Sequence, residues 1–337
     1  MINAKLSYSV AKQCYENRQS LKKRISLALK LCLVFPKLAG EIESFFSATP
    51  ARQFIMNLPG FRTCIYKQQV HRCFYRGSKH TERINFLKEH FQLLERYYCE
   101  PRLKEFYTAS AAPLTICHGT AQVSFSIQYQ HHISREGLLS LLLKINGIGL
   151  CRISFWITEL NGRNTLCIGA LQGGKDVIDE IREFTKLFWG IRPQIMALIA
   201  LRIFAKSLNI QQIFTFSKKH LYSKKIAEKN TIDTLWDTQG ATVIPASPFI
   251  KLELITPRKK LTDVPTHKRS LYKKRYAFLD NLEPILNTYF GSLVTQQSPV
   301  LNHSNAHTED TPTQTTSHNI ITLTYPKHIS ILETIEP

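Results

Sequence analysis

A helix start that carries an arginine is the segment of this sequence best suited to hold an anion. Gly190 and Arg192 precede Pro193, and proline favours the first turn of a helix because its missing N–H would lack a partner there. The unpaired N–H groups and the dipole of a helix start both attract negative charge. We therefore predict an anion or cofactor site at Gly190, Arg192 and Pro193. A purely structural cap or salt bridge at Arg192 is the alternative.

A glycine-rich turn adds two residues to this predicted site. Gly169, Gly174 and Lys175 have the G-x-x-x-x-G-K spacing of a phosphate-binding P-loop. A P-loop continues with Ser or Thr to hold magnesium, whereas this sequence continues with Asp176, and Gly169 is expected inside a strand. The pattern therefore favours a tight strand-to-helix turn over nucleotide hydrolysis. We include Gly173 and Gly174 in the anion site.

A second cationic cluster lies further along the chain, on a predicted basic amphipathic helix that starts near His267 and ends at about Pro284. Its basic residues are Lys268, Arg269, Lys273, Lys274 and Arg275, preceded by cations at 258 and 260 and interleaved with Tyr272 and Tyr276. Such a cluster could bind the phosphates of a nucleic acid or of an anionic membrane surface. A solvated helix face is the alternative.

Nucleophilic and metal sites are poorly supported by the sequence. Cys117 and His118 are adjacent on a predicted strand, so their side chains point to opposite faces and cannot form a dyad. His131 and His132 have no partner at metal-ligand spacing. Trp236, like Asp237 beside it, could line a pocket, although an aromatic residue before a turn is more typical of packing. We predict neither a metal site nor a catalytic residue.

The excess of positive charge lies in the first 290 residues. The 337 residues include 44 lysines and arginines against 25 acids, a formal net charge of +19. Residues 291–337 contain one lysine and four acids, a net charge of −3, so residues 1–290 carry +22. This surplus favours an anionic ligand, a nucleic acid, an anionic membrane surface or a phosphorylated cofactor as partner. General basicity without a dedicated partner is the alternative.

The cysteine pattern and the apolar segments favour a cytoplasmic protein. The eight cysteines lack the paired spacing of zinc sites, and Cys151 and Cys167 lie in apolar runs, so we predict reduced thiols. The apolar residues 25–35 are interrupted by Lys30, too few to span a bilayer and unlike a signal peptide. We predict that this stretch packs against the body of the protein. A peripheral helix at the inner membrane is the alternative.

Three regions are expected along the chain: a mainly helical one over residues 1–110, an α/β core over 111–290, and a disordered polar tail over 291–337. In the core, residues 121–129 alternate as a strand, a short helix is expected from Ser134, and Asn161-Gly162 predicts a hairpin turn. Amphipathic spacing predicts a helix over 176–188, with Asp176 at the start. Pro193 predicts the start of a second helix, which runs to about Leu208 and is apolar almost all round, as expected for the centre of the core. The fold class is mixed α/β with a central, mostly antiparallel sheet.

Several short motifs resemble the VirK/YbjX family in their order and spacing, over roughly residues 80–285. They are ISF at 153–155, IGALQG at 168–173, TK at 185–186, GIRP at 190–193, LW at 235–236, QG at 239–240, KRSLYKKR at 268–275 and LD at 279–280. The resemblance implies a bacterial protein of unknown biochemical activity, linked to virulence, envelope stress and resistance to cationic antimicrobial peptides. A looser link to the DNA-damage response comes with it. It implies no catalytic residues.

Three functions remain open at this stage. The first is binding of an anionic ligand through the basic face. The second is acyl transfer from a coenzyme A thioester, because the succession of hairpin, helix and strand resembles GNAT-type acyltransferases, in which a helix start cradles a pyrophosphate. The third is nucleic-acid binding in a stress or DNA-damage response.

Overall fold

The computed structural model describes residues 5, 8–9, 11–12, 21–34, 37–71, 73–131, 135–221, 232–294 and 320–322. The fold is mixed α/β, as predicted: helices precede and flank one large, mostly antiparallel sheet. Within the described part of the chain, no helix combines the length and the apolar character needed to cross a bilayer.

The region before the sheet is helical. Its α-helices are α1 (Leu21–Leu29), α2 (Leu38–Ser47), α3 (Pro50–Met56), α4 (Phe61–Val70), α5 (His80–Tyr97) and α6 (Glu100–Thr108), with a π-helical turn at Lys30–Val34 after α1. Pro101 lies in the first turn of α6, where the N–H that proline lacks would have no partner within the helix. Phe86, Leu87 and Phe91 of α5 are buried, and the Phe86 ring lies 5.5 Å from that of Trp156 in the sheet.

Within the described residues, nine strands form one sheet. They are β1 (Leu114–His118), β2 (Ala121–Gln128), β3 (Leu139–Ile145), β4 (Ile148–Leu160), β5 (Arg163–Gly173), β6 (Gln212–Phe216), β7 (Thr242–Val243), β8 (Phe249–Leu252) and β9 (Ile320–Thr322). Their spatial order is β7-β8-β6-β5-β4-β3-β2-β1-β9. Of the neighbouring pairs in this described sheet, β5/β6 and β1/β9 are parallel and the others are antiparallel.

The predicted hairpin is present as β4 and β5. Its turn residues Asn161 and Gly162 have φ values of 53° and 71°, the left-handed pair that a two-residue hairpin turn requires and that Asn-Gly adopts easily. Further along β5, Gly169 lies at a bulge, where an added Cβ would clash with the carbonyl oxygen of Glu136. Gly169 therefore serves close backbone packing and belongs to the strand.

The expected helix after Ser134 is wrong for residues 139–145, which form strand β3. Ser134 itself lies outside the described residues. The run LSLLLKI pairs with β2 on one side and β4 on the other and is buried on both faces. A strand covered on both faces needs no alternation of polar and apolar residues, so periodicity could not separate it from a buried helix.

The parallel pair β5/β6 is connected by a helical crossover, which consists of α7 (Ile178–Leu187) and α8 (Pro193–Ser207). Pro193 is the first residue of α8, as predicted, and eleven residues of α8 are buried. The start of α7 differs from the expectation: Asp176 precedes the helix with φ 57°, and Val177 is the cap residue. β5 and β6 pair only over Thr165–Cys167, after which the strands part.

The last two helices complete the described core: α9 (Ile232–Thr238) and α10 (Thr266–Leu293). The predicted end of the basic helix at Pro284 is wrong, since α10 continues to Leu293. Proline removes one backbone donor, but Leu286 and Phe290 beyond it are fully buried, and this packing outweighs the lost hydrogen bond. Of the predicted disordered tail, residues 291–293 instead end α10 and residues 320–322 form β9, whose backbone pairs with β1; residues 295–319 and 323–337 lie outside the described residues.

Candidate functional site

Two cavities meet at the turn between α7 and α8. One, of about 650 Å³, lies between α8, α9, α10 and residues 256–259. The other, of about 780 Å³, lies between α7, the start of α8 and the end of β5. Gly190, Arg192 and Leu235 line both. We call this pair of cavities the cationic cleft, for the charges described below.

The turn at the centre of the cleft is held by an arginine from α10. Trp189 and Gly190 both have left-handed φ values, 49° and 77°. The Nε and Nη2 groups of Arg275 donate to the carbonyl oxygen of Trp189 at 3.0 and 2.7 Å. A Cβ on residue 190 would lie 2.7 Å from that Nη2. Glycine is therefore required for the backbone conformation and for the approach of Arg275.

The first turn of α8 faces the cleft with an open donor. The Arg192 carbonyl accepts from the N–H groups of Ile195 and Met196 at 3.0 and 3.1 Å. Pro193 has no N–H, so Gln194 is the first residue of the helix with a donor, and among the described groups no backbone carbonyl accepts from it. Gly173 lies beside this turn, since a Cβ added to it would be 3.5 Å from Nε2 of Gln194.

Six cationic side chains and no carboxylate occur among the described residues that line the cleft. The cations are Arg182, Lys186, Arg192, Arg258, Lys259 and Arg275. Asp179 and Asp280, outside the cleft, pair with Arg182 and Arg258 at 3.0 and 2.6 Å. Arg192 is exposed and has no acceptor in the described part of the chain. The cleft therefore keeps a net charge of about +4, a field that attracts anions.

The walls between these cations are apolar and aromatic. Apolar side chains of three helices line the larger part of the first cavity: Ile195, Ile199, Leu235 and Leu279. Tyr272 and Tyr276 add rings that lie under guanidinium groups, with Arg275 4.3 Å and Arg258 5.3 Å from the ring centres. An apolar wall with a few polar anchors is typical of a site for an organic ligand rather than for an inorganic ion.

A buried arginine adjoins the same cavity. Arg202 lines a smaller cavity of about 380 Å³ that shares Ile199 and Leu279 with the first. Its guanidinium donates to the Glu253 carbonyl at 2.9 Å and to the side-chain and backbone oxygens of Gln239 at 2.9 and 3.2 Å. Burial lowers the pKa of Arg202 to about 10, so it stays charged at neutral pH. Its contacts hold Gln239, another wall residue, in place.

The structure brings together four of the residues that the sequence assigned to binding. Gly173, Gly190 and Arg192 line the cleft, and Arg275 joins them from the predicted basic surface. Pro193 is buried behind them. Gly174 is not in the cleft, because it packs on Gly149, whose carbonyl oxygen would lie 2.3 Å from an added Cβ.

The rest of the predicted basic surface is separate from the cleft. Lys268, Lys273 and Lys274 are exposed on α10. Arg269 is engaged in local structure, since its Nε donates to the Val264 carbonyl at 3.0 Å. These three lysines do not line the cleft.

Residues considered for other chemistry take structural positions. Lys175 is exposed beside Asp176 at 3.6 Å, and Trp236 is buried. The His118 ring packs 5.4 Å from the ring centres of Phe188 and Trp189, and burial lowers its pKa. His132 lies outside the described residues. Among the described residues, no group of three or more His, Cys, Asp or Glu side chains could hold a metal ion.

Sequence reasoning missed at least three members of this region. Arg182 and Lys186 line the second cavity, but nothing in the sequence relates them to it, although Lys186 belongs to the TK motif. Arg202 was visible as one of two charges, with Lys206, in an otherwise apolar helix. A charge in a buried helix requires polar partners nearby, and this signal could have placed it beside the site.

Comparison with known proteins gives a consistent family assignment. The family model described as "Protein of unknown function (DUF535)" matches residues 16–288. The chain is 25% identical over 287 residues to "Uncharacterized protein YbjX" of Escherichia coli K12, covering 81% of this chain and 84% of that protein. A Haemophilus influenzae protein described as "Uncharacterized protein" is 25% identical over 213 residues, covering 60% of this chain and 69% of its own length. No solved structure gives a significant match.

Proposed function

Since the chain belongs to the DUF535 family, to which the VirK/YbjX motifs pointed, we propose from the cleft itself that this protein binds a phosphorylated ligand with an apolar or aromatic part. One observation carries the proposal: the described residues that line the cleft include six cations and no carboxylate, beside walls that are largely apolar and aromatic. A phosphate would satisfy the cations, and the organic part would cover the apolar walls.

Within this class, coenzyme A and its thioesters are the ligands favoured by the fold. The sheet has one parallel pair produced by a helical crossover, β5 and β6, which pair only over Thr165–Cys167. This arrangement resembles the GNAT-type acyltransferases, in which a helix start cradles a pyrophosphate. Arg192 and the Gln194 N–H would hold the pyrophosphate. The adenine or the acyl chain would lie along the apolar wall of Ile195 and Ile199.

Titration calorimetry with coenzyme A tests this proposal. We expect saturable binding that weakens about 10- to 100-fold in Arg192→Ala, the loss associated with one charged hydrogen bond. Arg163→Ala is the matched control. Arg163 is exposed at the opposite end of β5 from Gly173, about 30 Å away at strand spacing, and its removal should leave the affinity unchanged. Equal binding by wild type and Arg192→Ala would contradict the proposal.

Comparing three ligands identifies which part of the molecule is bound. Coenzyme A should bind more tightly than ADP, and ADP more tightly than inorganic phosphate, because each step adds surface that can cover the apolar walls. If inorganic phosphate binds as tightly as coenzyme A, the apolar walls play no part and the proposal fails. Release of the coenzyme A thiol from an acyl thioester in the presence of an amine would extend binding to acyl transfer.

The exposed lysines of α10 favour a second candidate, nucleic-acid binding. Lys268, Lys273 and Lys274 are exposed, and no carboxylate among the described residues pairs with them. Unpaired lysines on one helix are suited to a phosphate backbone. The affinity for a duplex or single strand should fall steeply with salt, and replacing all three with Gln should reduce that salt dependence. Unchanged binding after the triple replacement would rule this surface out.

The cellular setting proposed for this activity follows the family resemblance. We place the protein in the cytoplasm, in an envelope-stress or virulence pathway. Free thiols support the compartment: Cys151 and Cys167 are buried and unbridged, and burial raises the pKa of Cys151 to about 12. Fractionation of cells that express the full chain checks it, since recovery from the periplasm would contradict this placement.

A further inference from the structure

An apolar stripe is exposed along the first described helix. Ile25, Leu29 and Leu33 are 44%, 51% and 73% exposed and follow one another at four-residue spacing along α1 and the π-helical turn after it. The opposite side of the same helix is already docked, because Leu27 and Leu31 are 2% and 0% exposed. The exposed apolar residues are therefore not needed to pack the helix against the rest of the protein.

The π-helical turn keeps this stripe straight. In an α-helix, residues four apart are displaced by about 40° around the axis at each step, because four residues exceed one turn of 3.6. The wider turn at Lys30–Val34 reverses that displacement between Leu29 and Leu33. π-helical turns are uncommon and are often found at functional sites. The local geometry thus aligns three apolar side chains in one outward line.

Positive charge surrounds the stripe. The first 40 residues contain eight lysines and arginines and a single acid, Glu16. Lys12, Lys22 and Lys37 are exposed, and Lys30 is half-buried between Leu29 and Leu31. A protein partner would have to be strongly acidic around an apolar centre. An anionic lipid surface offers both features at once: a negative plane of headgroups over an apolar interior.

From the stripe and its charge, we infer that α1 with its π-helical turn is a docking surface for an anionic membrane. The helix lies in the plane of the headgroups, with Ile25, Leu29 and Leu33 inserted and the lysines at the phosphates. The cleft at the start of α8 is formed by other elements, so this docking is independent of ligand binding. It predicts reversible attachment in which apolar insertion and charge both contribute.

Vesicle flotation of the full chain tests the inference. Wild type should bind vesicles that contain phosphatidylglycerol and should not bind vesicles of phosphatidylcholine alone, and added salt should weaken binding. Replacing Ile25, Leu29 and Leu33 with Ser should lower the partition coefficient at least about tenfold. These side chains are exposed, so thermal unfolding and the calorimetric affinity for coenzyme A should both be unchanged.

A control triple variant separates this stripe from exposed apolar residues in general. Ile178, Val243 and Ile255 are 64%, 70% and 73% exposed but lie on unrelated elements. Their replacement with Ser should leave vesicle binding within about twofold of wild type. Equal loss in both triple variants, or none in the stripe variant, would overturn the inference. Light scattering that shows a dimer abolished by the stripe variant, without vesicle binding, would assign the stripe to a second copy and also overturn it.

Discussion

Carboxylates pair with most of the described cations in the helical layer formed by α2 to α6 but with few of those in the cleft. Five of the eight lysines and arginines in that layer form ion pairs: Arg52–Glu95, Arg62–Glu43, Lys88–Glu41, Arg102–Glu105 and Lys104–Glu100. In the cleft two of six do; Arg275 donates to a carbonyl oxygen and lies over the Tyr272 ring, and Arg192 has no acceptor in the described chain. The general basicity of the chain therefore does not by itself explain the cleft, because the same chain pairs most of its cations in the helical layer.

The arginines of the two regions are also expected to differ in what they contribute to folding and to ligand binding. In the helical layer, an arginine contributes to folding because its partner is fixed and partly buried. In the cleft, an exposed arginine contributes little to the free energy of folding, so its guanidinium can bind a ligand without breaking contacts of the fold. Replacing one arginine from each region should consequently affect different measurements.

The largest effect is expected for Arg52→Ala. Its guanidinium, 9% exposed, binds both carboxylate oxygens of Glu95 and covers the ring of Phe45 at 4.1 Å. Removing it leaves the partly buried Glu95 carboxylate without its cationic partner, so the free energy of unfolding should fall by about 3 kcal/mol. Arg192→Ala should change it by less than about 0.5 kcal/mol, as is usual for an exposed side chain. Denaturant titration measures both, and similar losses in the two variants would remove the contrast.

Charge pairing of this kind could be predicted only in part. The sequence showed the excess of cations and placed it in the first 290 residues, but ion pairs such as Arg52–Glu95 join residues far apart in the chain. The same limit applies to the cleft. The GIRP motif identified Arg192 and Pro193, whereas the contact of Arg275 with Trp189 depends on a left-handed Trp189 that no sequence pattern indicates.

Local chemistry explains which elements were predicted. The dipeptide Asn161-Gly162 favours a two-residue hairpin turn, and Pro193 favours the first turn of a helix. Both features could therefore be predicted from the local sequence alone. Strand β3 and the continuation of α10 past Pro284 depend on tertiary packing. A doubly buried strand has no periodic signal, and a proline is tolerated where the surrounding packing compensates for it.

Acid should destabilise the helical layer by charging a buried histidine. Nδ1 of His90 accepts from the N–H of Ile157 at 3.0 Å and Nε2 contacts the Tyr107 hydroxyl at 3.0 Å. Burial lowers the pKa of His90 from 6.5 to about 3. Between these values only the unfolded chain binds the proton, so stability is full above pH 6.5 and falls as the pH drops, by about 1.4 kcal/mol per pH unit.

The measurement is the unfolding free energy at pH 6.5 and pH 5.5 in wild type and in His90→Gln. Glutamine can still accept from the Ile157 N–H but does not titrate, so the variant should lose about 1 kcal/mol less than wild type over this interval. Parallel pH profiles would show that His90 is not the group responsible.

The smallest effect is expected for a glycine pair that isolates the Arg275 contact. Gly190 and Gly147 have similar left-handed φ values, 77° and 82°. An added Cβ meets nothing within 4 Å at Gly147 but meets Nη2 of Arg275 at 2.7 Å at Gly190. Both Ala variants carry the strain of the backbone conformation, about 1 kcal/mol. Gly190→Ala should cost about 0.5 to 1 kcal/mol more, because it displaces the guanidinium from the Trp189 carbonyl. It should also weaken coenzyme A binding, whereas Gly147→Ala should not. Equal behaviour of the two variants would mean that Arg275 moves aside freely, and that the cleft does not depend on the turn it holds.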